Sequence, residues 1–161
     1  MESLEIRSIS DADKTWVRQM SIEHWSSEVM VTRGRVYRVE DLPGCIALLD
    51  GERVGLLTYF VHEDSIEIIT LNSLLEKQGI GSALLSAVQE RAMEIGRTRI
   101  WLVTTNDNLE ALRFYQKRGF FIRSIYSNAI KNSRRLKPEI PLVSENGIPI
   151  RDEIELERYL A

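Results

Sequence analysis

The sequence contains few residues of the kinds that build disulfide frameworks, metal centres or membrane spans. Cys45 is the single cysteine, which rules out an internal disulfide. The two histidines, His24 and His62, have no second ligand at helical spacing, which argues against metal catalysis. Apolar runs such as residues 46–49 fall far short of the roughly 20 residues that a membrane span requires. The first residues also lack the pattern of a signal peptide, and we expect a cytoplasmic protein without metal and without a membrane partner.

The chain also lacks a strong excess of charge of either sign. It has 24 acidic and 21 basic residues, a formal net charge of −3, which argues against general nucleic-acid binding. Four basic residues nevertheless cluster in one segment: Lys131, Arg134, Arg135 and Lys137. This segment keeps a nucleic-acid-associated protein open as an alternative, beside the plainer interpretation of a solvated face.

The composition, 43% apolar and 28% charged, is typical of a folded domain, and we expect residues 1–161 to form one. Hydrophobic periodicity predicts an α+β fold with a mixed sheet. The predicted strands are residues 4–9, 45–49, 53–61, 65–71, 99–104, 120–126 and 150–159. The predicted helices follow Asp11 and cover residues 82–95 and 109–118, with Asp50-Gly51 as a hairpin turn. Residues 30–42 have a mixed pattern, with Gly34 and Pro43-Gly44 marking loops, and residues 127–149 form a poorly defined excursion with a short basic helix.

The segment between the third predicted meander strand and the next helix contains Gly79-Ile80-Gly81-Ser82. Glycines allow close backbone approach, and the free N–H groups of a first helical turn attract an anion such as phosphate. Leu84 stands where a dinucleotide-binding fingerprint needs a third small residue, and no Gly-Lys-Ser/Thr ending is present. By itself the segment is equally compatible with a tight turn that merely begins a helix.

A second informative segment runs from Asn108 to Phe120. Asn108 lies where it can cap a helix, and Ala111, Leu112 and Tyr115 share one helical face. Alone, this pattern also fits an ordinary amphipathic helix with a buried tyrosine.

Taken together and in this order, the two segments resemble the GNAT superfamily of N-acetyltransferases. The first motif of that family maps onto residues 76–81, with Glu76 where the family usually has Gln or Arg, and the second maps onto residues 108–120 without a mismatch. The resemblance implies an acyl-CoA N-acyltransferase fold, in which helices flank a central, mostly antiparallel sheet. It also implies acetyl-CoA as the acetyl donor, a primary amine as the acceptor, no metal cofactor, and a homodimer as a common assembly.

The resemblance further implies how acetyl-CoA is held. Main-chain amides of the loop bind the pyrophosphate, Leu71 pairs through its backbone with the pantetheine arm, and Asn108 forms a hydrogen bond with the pantetheine or adenylate portion. The implied cofactor-binding residues are Leu71, Ser73, Lys77, Gln78, Gly79, Ile80, Gly81, Ser82 and Asn108.

Two candidate catalytic residues follow from the same resemblance and from side-chain chemistry. Tyr115 is the candidate general acid, since a phenol can protonate or hydrogen-bond the departing thiolate; the alternative is a tyrosine that only packs. Glu67 is the candidate general base, because apolar neighbours make a carboxylate a stronger base, and we expect it on the same sheet face as Ile69 and Leu71. Its alternative is a half-exposed structural carboxylate. His62 is a second candidate base, or else a surface residue at a strand end.

The acceptor is not indicated by the sequence. Residues between the first helix and the meander often shape the acceptor pocket in this superfamily, and here they include Trp25, Arg33, Arg35 and Tyr37. The arginine pair could hold a carboxylate of the acceptor, or it could be solvated loop charge. Cys45 has no nearby basic partner, so direct transfer is expected. A non-catalytic acyl-CoA-binding regulatory module remains the alternative, supported by Glu76.

Overall fold

The computed structural model describes residues 3–76 and 78–160. The strands are β1 Leu4–Ser8, β2 Val29–Thr32, β3 Arg35–Arg38, β4 Gly44–Leu49, β5 Glu52–Val61, β6 Ser65–Ser73, β7 Arg99–Thr105, β8 Phe121–Tyr126 and β9 Glu153–Tyr159. The α-helices are α1 Lys14–Trp25, α2 Ile80–Glu94, α3 Leu109–Lys117 and α4 Ile130–Leu136.

Seven of these strands form one mixed sheet in the order β1-β4-β5-β6-β7-β9-β8. Only the β6–β7 pair is parallel among the six neighbouring pairs of this sheet in the described residues; the others are antiparallel. The remaining strands, β2 and β3, form a separate antiparallel ribbon. The sheet confirms the predicted mixed, mostly antiparallel α+β architecture.

Helices cover both faces of the sheet and create two apolar cores. On one face, α2 packs Leu84 and Val88 against sheet residues such as Leu57 and Ile66, all of them fully buried. On the other face, α1 contributes Val17 and Met20 to a smaller core. Burying these side chains removes apolar surface from water, which is the main stabilising contribution to such a layered fold.

The start of α2 lies unusually close to β5. A Cβ atom added at Gly55 would lie 2.6 Å from Cγ2 of Ile80 and 3.1 Å from Cδ1 of Leu84. The absence of a side chain at Gly55 therefore allows the first turn of α2 to sit directly on the sheet.

Several sequence-based expectations need correction. Residues 30–42, where the mixed pattern predicted no strand, contain most of the β2–β3 ribbon. Asp11 does not cap the first helix: it is exposed, and the N-cap residue of α1 is the buried Asp13, whose carboxylate accepts the backbone N–H of Ser10 rather than one in the helix. The last strand begins at Glu153 and lies between β7 and β8. The short basic helix expected in the excursion is confirmed as α4. No helix in the described residues combines the length and apolarity needed to cross a membrane.

Candidate active site

The site is an opening between two parallel strands. β6 and β7 pair only as far as Ile68 and Leu102, after which β6 continues beside β5 and β7 continues beside β9. The space where they part is a cleft of about 510 Å³. Because β6 has no β7 partner beyond Ile68, the backbone edge of residues 69–73 faces this cleft.

A bulge in β6 sets which side chains face which side of the sheet. Tyr59 pairs with Ile68 and Thr58 pairs with Thr70, so Ile69 is an extra residue on β6. Glu67 consequently lies on the face opposite to Leu71, which packs against the α2 core. The expectation that Glu67 and Leu71 share a face was wrong, because simple alternation fails across a bulge.

One end of the cleft is formed by the start of α2. Gly79 is the N-cap residue and has a left-handed φ of 71°, a conformation that glycine adopts without strain. The N–H groups that follow it have no earlier carbonyl within the helix to bond, so the first turn presents free donors. Gly81 lines the cleft. This geometry is what anion binding at a helix N-terminus requires.

The predicted cofactor-binding residues differ in whether they line the cleft and in how exposed their side chains are. Leu71, Ser73, Gly81 and Asn108 line the cleft. Gln78 is exposed, whereas the Ile80 side chain is buried in the core, leaving its backbone for a ligand. Lys77 lies outside the described residues.

Both side-chain hydroxyl groups among the predicted cofactor residues already have hydrogen-bond partners. Ser73 Oγ donates to the Leu75 carbonyl at 2.7 Å, and Ser82 Oγ accepts from Arg118 Nε at 3.0 Å. Arg118 also stacks its guanidinium on the Phe114 ring, 3.7 Å from the centroid. These contacts join the start of α2 to the end of α3 beside the cleft.

Asn108 caps the N-terminus of α3, as predicted. Its Oδ1 accepts the backbone N–H of Ala111 at 3.1 Å, which is a helix cap. The capping role engages the oxygen alone, so the Nδ2 amide group remains a donor on a residue that lines the cleft.

Tyr115 projects from α3 into the wall of the cleft and is 5% exposed. Its ring makes edge contacts with Phe114 and Phe120, with centroids 5.1 and 5.2 Å apart. Burial raises the pKa of Tyr115 well above the ordinary tyrosine value. The phenol is therefore protonated at physiological pH and available as a hydrogen-bond donor.

Glu67 is fully buried, but its surroundings are polar rather than apolar. Thr32 Oγ1 donates to Oε2 at 2.6 Å and Tyr37 OH donates to Oε1 at 3.2 Å. His62 Nε2 lies 2.9 Å from Oε1. The expected apolar environment was wrong because the β2–β3 ribbon brings two hydroxyl groups onto the carboxylate. Glu67 itself contributes no atom to the wall of the cleft, although its neighbours Ile68 and Ile69 do.

His62 connects the buried carboxylate to the surface. Its side chain is 17% exposed, and its ring stacks on Trp101 and meets the edge of Phe60, at centroid distances of 5.4 and 4.8 Å. His62 is therefore held in a defined orientation between Glu67 and solvent, and the description as a simple surface residue does not fit it.

Of the residues predicted to shape the acceptor pocket, some line the cleft and others are bonded elsewhere in the protein. Trp25 lines the cleft, together with Met30, which sequence reasoning did not select. Arg33 is occupied: its Nη1 lies 3.1 Å from Glu153 Oε1, and its guanidinium lies 3.4 Å from the Tyr126 ring centroid. Arg33 therefore ties the ribbon to the sheet and is not a free ligand for an acceptor carboxylate.

Thr32 and Met30 carried no signal in the sequence because their partners are distant along the chain. Thr32 meets a carboxylate 35 residues away, and Met30 reaches the cleft only through the fold of the ribbon. Within residues 3–76 and 78–160, no group of three or more His, Cys, Asp and Glu side chains could hold a metal ion.

The comparison that decides the family is the match of a family model described as "Acetyltransferase (GNAT) family", which covers residues 6–120. The chain belongs to this acetyltransferase family. The predicted resemblance is thereby confirmed, and the two motifs fall at the start of α2 and along α3 of a GNAT fold.

Relatives and solved structures agree with this family. The chain is 46% identical over 139 residues to the uncharacterized protein YxbD of Bacillus subtilis (strain 168), covering 86% of this chain and 87% of that one. It is 47% identical over 133 residues to the uncharacterized protein YdhI of the same strain, covering 82% and 83%. A GNAT family acetyltransferase from Elizabethkingia anophelis, solved with acetyl-CoA bound, has the same fold, with a TM-score of 0.71, 22% identity and 98% coverage of both chains.

Proposed function

We propose that the chain is a single N-acetyltransferase domain that transfers the acetyl group of acetyl-CoA directly to a primary amine. One observation carries the proposal: β6 and β7 part to leave an unpaired backbone edge between the free N–H groups of α2 and the protonated phenol of Tyr115. The expected cytoplasmic location is kept as part of this proposal.

Acetyl-CoA binding is supported by parts of the cleft that match the pyrophosphate and the pantetheine arm of that molecule. The first turn of α2, which begins at Ile80 after the N-cap Gly79, offers N–H groups and a positive dipole end to the pyrophosphate. The free edge around Leu71 can pair with the amide groups of pantetheine as an added strand does. Asn108 Nδ2 offers one more donor. Glu76 lines the same cleft but is exposed, so its carboxylate can turn into solvent, away from a diphosphate.

The transfer reaction needs an amine nitrogen to attack the thioester carbonyl. A nitrogen–carbon bond forms and the carbon–sulfur bond breaks, so a protonated amine and acetyl-CoA give the N-acetyl amine, the coenzyme A thiol and one proton. Free backbone N–H groups beside the β6 bulge would stabilise the charge that develops on the carbonyl oxygen.

Tyr115 acts in this proposal as a hydrogen-bond donor to the leaving sulfur. Its raised pKa makes complete proton transfer to the thiolate unfavourable, so stabilisation of the developing negative charge is the better description. This sharpens the general-acid role predicted from the sequence.

Glu67 is the proposed acceptor of the amine proton. Because it is fully buried and lies outside the cleft wall, the proton would reach it through a water molecule or a hydroxyl group. His62, bonded to the same carboxylate and partly exposed, then provides an exit to solvent.

The decisive experiment measures binding and turnover separately. Isothermal titration calorimetry with acetyl-CoA is followed by a thiol-release assay over a panel of amines, with acetylated products identified by mass spectrometry. We expect binding and amine-dependent thiol release. Binding without release on any amine would favour an acyl-CoA-binding module, and absence of binding would overturn the proposal.

A further inference from the structure

The basic segment at residues 131–137 does not form the continuous charged surface that nucleic-acid binding needs. Lys131 and Arg135 are exposed, but Arg134 donates to the carbonyls of Pro141 and Ile150 at 2.6 and 2.7 Å. Lys137 is only 6% exposed. The segment is therefore partly internal, and its buried lysine needs a separate explanation.

Lys137 has no anionic partner among the described residues. Its only polar side-chain contact there is between Nζ and Met30 Sδ, at 3.8 Å. A thioether is a weak acceptor, and burying an ammonium group without a carboxylate is unfavourable. Burial lowers the pKa of Lys137, and the nearby Glu139, which is exposed, opposes this shift without forming an ion pair. The fold thus buries the Lys137 amino group with no carboxylate partner among the described residues.

The position of this cation is informative. Met30 separates Lys137 from the cleft: it lines the cleft together with Trp25 and packs against the cluster that contains the bulge residue Ile69. Trp25 and Met30 come from α1 and β2, on the sheet face opposite to α2 and α3. The acetyl donor is proposed to enter from the α2 and α3 side, so Lys137 lies behind the wall at the acceptor end.

Other cations of this region are either engaged within the protein or already in solvent. Arg33 is bonded to Glu153 and stacked on Tyr126. Arg35 is exposed on the ribbon. Methionine side chains are flexible and readily change rotamer, so movement of Met30 would open Lys137 to the cleft.

We propose that Lys137 binds an anionic group of the acceptor, and that the acceptors are therefore amines that carry a carboxylate or a phosphate. This inference rests on the proposed function, because it assigns the substrate class of the same site. The ammonium group would gain the charged partner that it lacks, and the acceptor would be oriented with its amine toward the thioester.

Matched amine pairs test the proposal. Thiol release is measured for an amino acid and its carboxamide, and for phosphoethanolamine and ethanolamine, so that the two arms separate carboxylate from phosphate recognition. We expect the anionic member of at least one pair to have a kcat/KM about tenfold to a hundredfold higher, the range of one hydrogen bond to a charged group.

Lys137→Met removes the charge while keeping an unbranched apolar chain, and Lys131→Met on the same segment is the control. We expect Lys137→Met to bring the anionic-to-neutral ratio of kcat/KM close to one, mainly by raising KM for the anionic amine. Lys131→Met should leave the ratio unchanged. Thermal unfolding of both variants establishes that they are folded.

The possible outcomes distinguish a failure of the role proposed for Lys137 from a failure of the proposed function. A wild-type protein that acetylates amines without preferring anionic ones, or a Lys137→Met variant that keeps the preference, would overturn the role of Lys137 while leaving the proposed function standing. A wild-type protein that accepts no amine in the panel would overturn both.

Discussion

At the scale of single residues, Tyr115 carries the most specific chemical assignment. Its phenol is buried in the cleft wall between two aromatic rings and keeps its proton because burial raises its pKa. For Tyr115→Phe we expect kcat to fall about tenfold to a hundredfold, the effect of losing one hydrogen bond to a developing thiolate. Acetyl-CoA affinity, measured by calorimetry, should stay the same because the ring still packs.

Tyr59 supplies the matched control for this variant. It is a buried tyrosine of the same core, its pKa is also raised by burial, and it does not line the cleft. Tyr59→Phe should therefore retain wild-type kcat. Unchanged turnover of Tyr115→Phe with saturating substrates would remove this hydroxyl group from the mechanism.

Glu67 is the second residue whose role can be isolated. Glu67→Gln removes the charge and keeps an amide that can still bond Thr32, Tyr37 and His62. We expect kcat to fall about a hundredfold near neutral pH, the usual contribution of a general base. The deficit should shrink as pH rises, because more of the amine is then already unprotonated.

The exposed Glu63 in the adjoining hairpin provides the comparison, and Glu63→Gln should follow the wild-type pH profile. A Glu67→Gln profile with the wild-type shape and height would show that Glu67 only supports the fold.

The sequence predicted these two candidate residues but not their surroundings. Tyr115 lies inside a motif with fixed spacing, and Glu67 stands out as a charge in an apolar strand. The contacts of Thr32, Met30 and Lys137 form only when the ribbon and the α4 segment fold over the sheet. Contacts between segments this far apart leave no periodic signal in the chain.

At the scale of elements, the regular helices and most strands could be predicted, and irregularities could not. α2 and α3 have apolar faces at helical spacing and glycines after their last turns, which is why their bounds were nearly right. The β6 bulge at Ile69 breaks the two-residue alternation and reverses the face of the residues after it. The ribbon was missed because Gly34 and mixed polarity hide two short strands.

The start of α2 gives a prediction about an element. Gly79 and Gly96 flank the same helix and have left-handed φ values of 71° and 73°, with open space around each Cα. Alanine at either position should cost about 1–2 kcal/mol of stability, because a Cβ atom is strained there. Only Gly79→Ala should also weaken acetyl-CoA binding, by about tenfold, since relief of the strain turns the first-turn N–H groups away from the ligand.

Thermal unfolding and calorimetry measure these two effects separately. Gly96→Ala corrects for the general loss of stability, because it imposes the same strain at the far end of the helix. Equal acetyl-CoA affinities for the two variants would mean that the first turn of α2 does not hold the cofactor.

At the scale of the whole molecule, the order of strands in the sheet could not be predicted from the sequence. β9 is last in the chain yet lies between β7 and β8, where its glutamates meet Arg99 and Tyr126. The alternating pattern of this strand predicts a face but not a neighbour. The segment between β8 and β9 reaches the wall of the cleft, since Lys137 contacts Met30, which lines it.

A buried ion cluster holds the N-terminal part of the chain onto the sheet. Asp13 is fully buried and accepts from Arg7 on β1 at 2.7 and 2.9 Å and from Arg53 on β5 at 3.0 and 3.1 Å. The Arg7 hydrogen bonds, followed by the Ser10 amide, hold the pKa of Asp13 far below its ordinary value, although burial acts in the opposite direction. A carboxyl group with a lowered folded-state pKa contributes stability above its unfolded pKa and loses it as pH falls.

For Asp13→Asn we therefore expect a loss of about 2 kcal/mol in the free energy of unfolding at pH 7, moderated because both guanidinium groups are partly exposed. Denaturant unfolding at several pH values measures the difference from wild type. This difference should shrink below about pH 4, where the unfolded carboxyl group takes up its proton. Asp11→Asn, in the same turn but fully exposed, should differ little from wild type throughout. A deficit of Asp13→Asn that is the same at pH 7 and at the lowest pH where both proteins stay folded would show that polar packing, rather than charge, joins α1 to the sheet.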